Sequence, residues 1–241
     1  MNKETKTEKD LNLDNYNSSS AGSIGSSLVI SLAIIIAGII VAIAVVMTQG
    51  DPNLNIDTEQ PEFSLEDISF DLEGWPSKGD IDAPVVIVGY SDYACPFCGR
   101  FALETLPQIT ENYIETGKVR FVFKDFIIVG GDRAAEAAHC SGDQGKYWEY
   151  HDLIFERLDQ DRSRLSSLEL HQGYANELDL DIDEFTECFQ DRRYQQKAAT
   201  STQEALNNGG TGTPFFLING YPVSGAQPFA LFQEAIESFL D

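Results

Sequence analysis

The sequence predicts an α/β domain carried behind one N-terminal membrane helix. Three observations point there. An uncharged apolar run covers 28–47. A strand–helix–strand pattern covers 85–123. A strand–strand–helix pattern covers 215–239, set apart from the first by a long helical block.

Residues 1–27 are polar and low in complexity, as in Asn15-Tyr16-Asn17-Ser18-Ser19-Ser20. Such a stretch buries too little apolar surface to offset chain entropy, so it reads as a disordered tail. Residues 28–47 are Ile- and Val-rich and carry no charge. At about 1.5 Å per residue they make a helix of about 30 Å, the thickness of a bilayer core. Lys3, Lys6 and Lys9 precede this run, and the next basic residue is Lys78. The bias places the tail in the cytoplasm and the bulk of the chain on the extracytoplasmic side of a cell membrane. The run is longer than the apolar region of a cleaved signal peptide, so the expectation is an uncleaved, single-pass signal-anchor. Residues 48–61 read as a linker. A folded domain over 62–241 is left.

Charge narrows the function. The 241 residues include 16 Lys and Arg against 39 Asp and Glu, a net charge of −23. Nucleic-acid affinity comes mainly from cations on phosphates, so a DNA or RNA partner is excluded. Four Cys are too few for a disulfide-dense miniprotein.

Within the domain, Val85-Val86-Ile87-Val88 is a short, continuously apolar, β-branched run, the pattern of a strand buried on both faces. Phe101 to about Thr116 has helical spacing, closed by Gly117 and kinked by Pro107. Val119 to Phe123 is a second strand, parallel to the first. Asp132 is placed to cap a new helix, and about 132–207 reads as a block of three or four helices. In it Tyr147, His151, Ile154 and Leu158 share one face. Asp159 to Ser163 reads as a turn, and Leu178 to Phe189 as the start of another helix. Phe215-Phe216-Leu217-Ile218 returns to β structure, and Asn219-Gly220 suits a two-residue hairpin turn. Tyr221-Pro222-Val223 is then an edge strand, and Pro228 opens a helix bearing Phe229, Phe232, Ile236 and Phe239.

Chemistry concentrates at Cys95-Pro96-Phe97-Cys98, between a strand end and a helix start. A Cys there meets unpaired N–H groups and the positive end of the helix dipole. Both favour thiolate, lowering the pKa from about 8.5 into a range of roughly 3.5 to 7.5. Pro96 suits the first helical position because it has no N–H to leave unpaired. Cys98 lies one turn on, in position to resolve a mixed disulfide at Cys95. Cys95 is expected to be exposed and Cys98 more buried. Alone, Cys-x-x-Cys also fits half a zinc site or a structural staple. Zinc needs two further ligands, and Cys140, Cys188, His139, His151 and His171 repeat no paired spacing, so no metal is expected.

The surrounding text resembles the DsbA-like branch of thioredoxin-fold thiol-disulfide oxidoreductases. The matching segments run in order: Gly79-Asp80 and Ala83-Pro84, then Ser91-Asp92-Tyr93-Ala94-Cys95-Pro96-Phe97-Cys98. Val119 to Phe126, Gly145-Lys146-Tyr147-Trp148 and Gly212-Thr213-Pro214-Phe215-Phe216 follow. The resemblance implies a thioredoxin-like α/β fold with an inserted helical subdomain. Cys95 and Cys98 would be catalytic, and Pro96, Phe97, Thr213 and Pro214 would support them. Pro214 would be a cis proline facing the sulfurs, and Thr213 would offer its backbone to an extended substrate.

Two departures stand out. Many relatives hold a buried acid six residues before the first Cys, where this chain has Gly89. Strongly oxidising members carry His beside the second Cys, where this chain has Phe97. A phenyl ring gives the thiolate no N–H and no charge. The couple is therefore expected to be less oxidising than theirs, between roughly −120 and −230 mV.

Cys140 and Cys188, 48 positions apart, are the left-over pair. A structural disulfide between them is expected, against free thiols or a relay with the active site. His139, His151 and His171 read as helix residues with ordinary hydrogen bonds. Trp148, Phe155, Phe185 and Phe189 read as core.

The reading is a thiol-disulfide oxidoreductase without cofactor, acting on reduced exported polypeptides. Oxidation is its expected direction, with a membrane quinone-linked thiol oxidase as partner. A reductase or isomerase of the same fold is the enzymatic rival. A non-catalytic envelope chaperone is the rival from another class.

Overall fold

In the computed structural model the described residues are 72–240. The expected tail, membrane helix and linker over 1–61 lie outside them. Among the described residues no helix is long and apolar enough to cross a membrane.

A five-stranded sheet in the order β1-β3-β2-β4-β5 forms the centre. The strands are β1 (Ser77–Lys78), β2 (Val85–Ser91), β3 (Val119–Asp125), β4 (Phe215–Ile218) and β5 (Tyr221–Ser224). β2 and β3 are parallel, Val85 beside Val119 through Ser91 beside Asp125. β4 pairs antiparallel with β2, and β5 with β4. Asn219 and Gly220 make the hairpin turn at φ 46° and 89°, left-handed values that glycine adopts freely and asparagine tolerates. Pro222 has no N–H to give a neighbour, and β5 is an edge strand. β1 pairs with β3 over only two residues, Ser77 and Lys78. It was not expected, because two polar residues carry no alternation.

Both faces of the sheet are covered, as the unbroken apolar β2 requires. Ile87, Phe121, Phe123 and Phe216 belong to the larger core, which reaches into the helical block. Val88, Tyr90, Phe215 and Leu217 face the other way, with Ala205 and Phe126.

The helix after β2 runs from Pro96 to Ile114 but is not uniform. Tight segments α1 (Pro96–Arg100) and α2 (Leu106–Ile109) alternate with wide π turns over Phe101–Thr105 and Thr110–Ile114. Pro107 cannot donate a backbone hydrogen bond, and the chain widens immediately before it. The kink expected there therefore takes the form of a widened turn.

The helical block comprises α3 (Asp132–Gly142), α4 (Tyr147–Glu156), α5 (Leu158–Asp161), α6 (Leu168–Glu177), α7 (Ile182–Gln190) and α8 (Gln195–Asn207). Three details differ from expectation. Gly131, not Asp132, precedes α3; Asp132 sits in its first turn, 3.0 Å from Arg192. The stretch read as a turn is α5 followed by a 3₁₀ turn at Arg162–Arg164. α7 begins at Ile182, because Asp181 caps it by accepting from Glu184 N–H at 3.0 Å. A final helix, α9 (Phe229–Glu237), buries Phe232 and Ile236 on the sheet; Phe239 lies beyond its end.

Cys140 of α3 and Cys188 of α7 form a disulfide. Phe155, Phe185 and Phe189 are core, and Trp148 is partly buried beside it.

Candidate active site

β2 carries the chain to Ser91, and α1 starts at Pro96. Cys95 is the residue before the helix, in extended backbone, and Pro96 opens it. The turn between is fixed by Asp92, which is completely buried. Its carboxylate accepts from Ala94 N–H at 2.8 Å and from Ile128 and Val129 N–H at 3.0 and 2.6 Å. The loop after β3 is thereby tied to the cysteine turn. The approach is close: a Cβ on Gly131 would lie 2.2 Å from Asp92 Oδ1. In the sequence Asp92 is legible only as part of a matching segment; its role as a clamp comes from contacts with a loop 36 and 37 residues away.

Both site cysteines are thiols here. Cys95 is only 4 % exposed, which corrects the expectation of an open nucleophile; Cys98 is completely buried. The covering group comes from far along the chain. Thr213–Pro214 is a cis peptide bond, and Cys95 Sγ donates to Thr213 C=O at 3.4 Å. The exposed member of the motif is Phe97, at 56 %, with the Arg100 guanidinium 5.2 Å from its ring.

The two sulfurs differ sharply. Cys95 is lowered to about 5, chiefly because the Cys98 thiol donates to its thiolate. The Thr213 hydroxyl and the backbone N–H groups of Phe97 and Cys98 add to this, and together they outweigh burial. Cys98 is pushed far above the usual thiol range, first by burial and then by the adjacent Cys95 sulfur. Asp92 N–H donates to Cys98 Sγ at 3.5 Å. The pair thus combines one sulfur that ionises readily with one that keeps its proton. This is the asymmetry required for capture followed by resolution of a mixed disulfide.

The structure brings Cys95, Pro96, Phe97, Cys98, Thr213 and Pro214 together. Cys140 and Cys188 are joined elsewhere, in the helical block. Among the described residues no cluster of His, Cys, Asp and Glu could hold a metal ion. His171 makes two bonds, to Tyr150 Oη at 2.9 Å and Leu165 O at 2.8 Å, and His139 pairs with Asp125 at 2.8 Å. His151 departs from the plain reading: its Nε2 is buried without a hydrogen-bond partner.

Known proteins give the fold a context. The chain is 27% identical over 189 residues to a probable disulfide bond formation protein D of Bacillus anthracis, covering 76% of this chain and 86% of that protein. It is 34% identical over 165 residues, 67% of its length, to a Na(+)/H(+) antiporter NhaA 1 of Salinispora arenicola. There it spans only 24% of the antiporter's length. The crystal structure of Wolbachia pipientis alpha-DsbA1 superposes with a TM-score of 0.65 at 27% identity, covering 73% of this chain and 96% of that one. Oxidised BdbD of Bacillus subtilis shares the fold, with a TM-score of 0.64 at 23% identity over 70% and 95% of the two chains. The thioredoxin family profile matches residues 73–238. The chain belongs to the thioredoxin family, in the DsbA-like form that inserts a helical block into the sheet.

Proposed function

We propose that the chain is a thiol-disulfide oxidoreductase that forms disulfides in exported polypeptides. The observation that carries this is the Cys95 thiol, set at a helix start and lowered to about 5 beside a buried partner thiol. Stabilising the Cys95 thiolate stabilises the reduced dithiol, which makes the Cys95–Cys98 disulfide an oxidant. The name of the Bacillus anthracis relative supports the same direction.

The reaction balances without a cofactor. A substrate thiolate attacks Cys95 Sγ, the Cys95–Cys98 bond breaks, and its electron pair goes to Cys98 Sγ, which takes a proton. A second substrate thiolate then attacks the substrate sulfur of the mixed disulfide. The substrate leaves oxidised and Cys95 leaves as thiolate. Apolar side chains beside the turn fit an unfolded polypeptide: Phe97 within the motif, and Ile128 and Val129 on the loop clamped by Asp92. Once Cys95 is bonded to a substrate sulfur it has no proton to donate, and the Thr213 C=O it reaches as a thiol is free to align an extended substrate.

Residues 28–47 would anchor the chain in a cell membrane by a single pass, with the folded part on the extracytoplasmic side. A membrane quinone-linked thiol oxidase would reoxidise Cys98 and Cys95.

Thiol trapping in growing cells tests the direction. A mostly oxidised Cys95–Cys98 pair is expected; a mostly reduced pair would point to a reductase. The purified protein should reoxidise a reduced, unfolded substrate faster than it reduces insulin, and Cys95→Ser should abolish both activities. Labelling of Cys95 in intact cells by a membrane-impermeant maleimide, after mild reduction, tests the placement.

A further inference from the structure

Exchange at this site leaves Cys98 with a proton to shed and regain while completely buried. In β2, Gly89 lines the void behind Cys98, and the position is closed to an acid. A Cβ there would lie 2.9 Å from the Phe121 ring and 3.2 Å from that of Phe216. Behind Cys98 is a narrow void, and the only polar side chains among its lining residues are Ser91, Cys98 and His151.

His151 reaches this void from α4 and is completely buried. Its Nδ1 lies 2.8 Å from Asp152 Oδ1. A carboxylate only accepts, so Nδ1 carries the hydrogen and the lone pair of the neutral ring sits on Nε2. That nitrogen has no hydrogen-bond partner. Tyr93, Phe123, Trp148 and Phe155 pack edge-on about the imidazole and fix its plane. Burial lowers the His151 pKa below its ordinary value, so at neutral pH the ring is uncharged and its Nε2 lone pair is free of a proton.

We propose that His151, backed by Asp152, is the proton relay of Cys98, acting from the helical block where β2 has no room for an acid. This rests on the exchange reading above. To resolve a mixed disulfide at Cys95, Cys98 Sγ passes its proton to the Ser91 hydroxyl beside it, which turns across the shared void to pass its own to Nε2. Its electron pair attacks Cys95 Sγ, the 95–98 bond forms, and the bond to the partner breaks with the partner leaving as thiolate. Asp152, whose side chain is 49% exposed, holds the resulting imidazolium by its outer nitrogen and opens a path to water. In the reverse direction Cys98 leaves as thiolate and takes the proton back.

Other groups facing the ring do not compete for this role. Tyr93, before α1, and Tyr147, on α4, hold their protons well above the usual range, first because they are buried, with Asp125 of β3 adding to this. Lys78 of β1 disfavours a charged imidazole and Asp152 favours one.

The test separates capture from resolution. The reduced full chain is mixed rapidly with saturating oxidised glutathione between about pH 5 and about pH 9, where resolution limits the second phase. Wild type should give a resolution rate that rises to a plateau below the ordinary histidine value of about 6.5. A rate that climbs tenfold per pH unit throughout would mean hydroxide alone ionises Cys98, and would overturn the relay. His151→Phe should slow resolution by about 10²-fold and lose the plateau, while alkylation of Cys95 by iodoacetamide is unchanged. Unchanged resolution would overturn the proposal. Should that variant not fold, Asp152→Asn, altered at a half-exposed side chain, should slow resolution and displace the plateau; an unaltered profile counts against the relay. Absence of the first, capture phase would instead remove the exchange reading itself.

Discussion

Cys95 and Thr213 are 118 positions apart in the chain, yet Cys95 Sγ lies 3.4 Å from Thr213 O. The contact exists because β4 pairs with β2 and brings the start of one strand against the end of the other, Tyr90 beside Phe215. The helical block is inserted between the two halves of the site without displacing either. The Thr213 hydroxyl is buried and has no hydrogen-bond partner while Cys95 is a thiol, so it is free to turn toward the thiolate when the sulfur ionises.

Thr213→Val keeps the shape and removes that hydroxyl. A hydrogen bond to a charged group is worth about 1.5 kcal/mol or more, close to one pKa unit. The Cys95 titration should therefore move up by about one unit, read from alkylation rate against pH. The backbone contact to Thr213 C=O should persist, so the fold should melt almost as the parent does.

Asp92 should matter more for stability than for chemistry. Asp92→Ala leaves the N–H groups of Ala94, Ile128 and Val129 without their acceptor. A buried donor left unsatisfied costs roughly 1–3 kcal/mol, and of the three residues only Ala94 is buried, Ile128 and Val129 being exposed, so a loss of about 1–3 kcal/mol is expected in denaturant unfolding. Hydrogen exchange should quicken first in the cysteine turn and in the loop after β3.

The Cys140–Cys188 bridge closes 48 residues between α3 and α7. Replacing both with Ala should cost on the order of 4 kcal/mol in the chain-entropy model. Cys95 alkylation should be unaffected, since the bridge is no part of the site. Loss of alkylation at unchanged fold would mean that the two sulfur pairs communicate.

Stability of the reduced form should depend on pH through the site pair. Cys95 falls from an unfolded value of about 8.5 to about 5. Its stabilisation is therefore fully present above about 8.5 and is lost as pH falls through about 5. Cys98 is raised, so its contribution is present below about 8.5 and fades at higher pH. Reduced protein should be most stable near pH 8.5 relative to its oxidised form, measured as the difference between their melting temperatures. A difference that is flat between pH 5 and pH 8 would contradict the Cys95 assignment.

Much of this architecture was legible in the residues. Strands β2 to β5 announce themselves through β-branched and aromatic runs, and the hairpin through Asn219-Gly220. The site's cysteines were legible because a Cys before a helix-opening Pro has a direct electrostatic consequence. Contacts between distant segments were not. The covering of Cys95 depends on where Thr213 comes to rest, and β1 is two polar residues recruited by the edge of β3 and by Trp148, which donates to Ser77 O. The free nitrogen of His151 was invisible, because helical spacing puts a histidine on a buried face without telling which of its nitrogens finds a partner. The spacing predicts a kink at Pro107 in the helix after Cys98, yet the widening into a π turn over Phe101–Thr105 follows from a missing N–H whose local repair cannot be read from spacing, and the second π turn, over Thr110–Ile114, has no signal in the sequence.

The central claim is that Cys95 is held as a thiolate, and the pH dependence of its alkylation by iodoacetamide tests it most directly. With Cys98 kept as a thiol and Cys140–Cys188 intact, the rate should rise with a midpoint at about 5 and be flat through neutrality. A midpoint near the free cysteine value of about 8.5 would contradict the account.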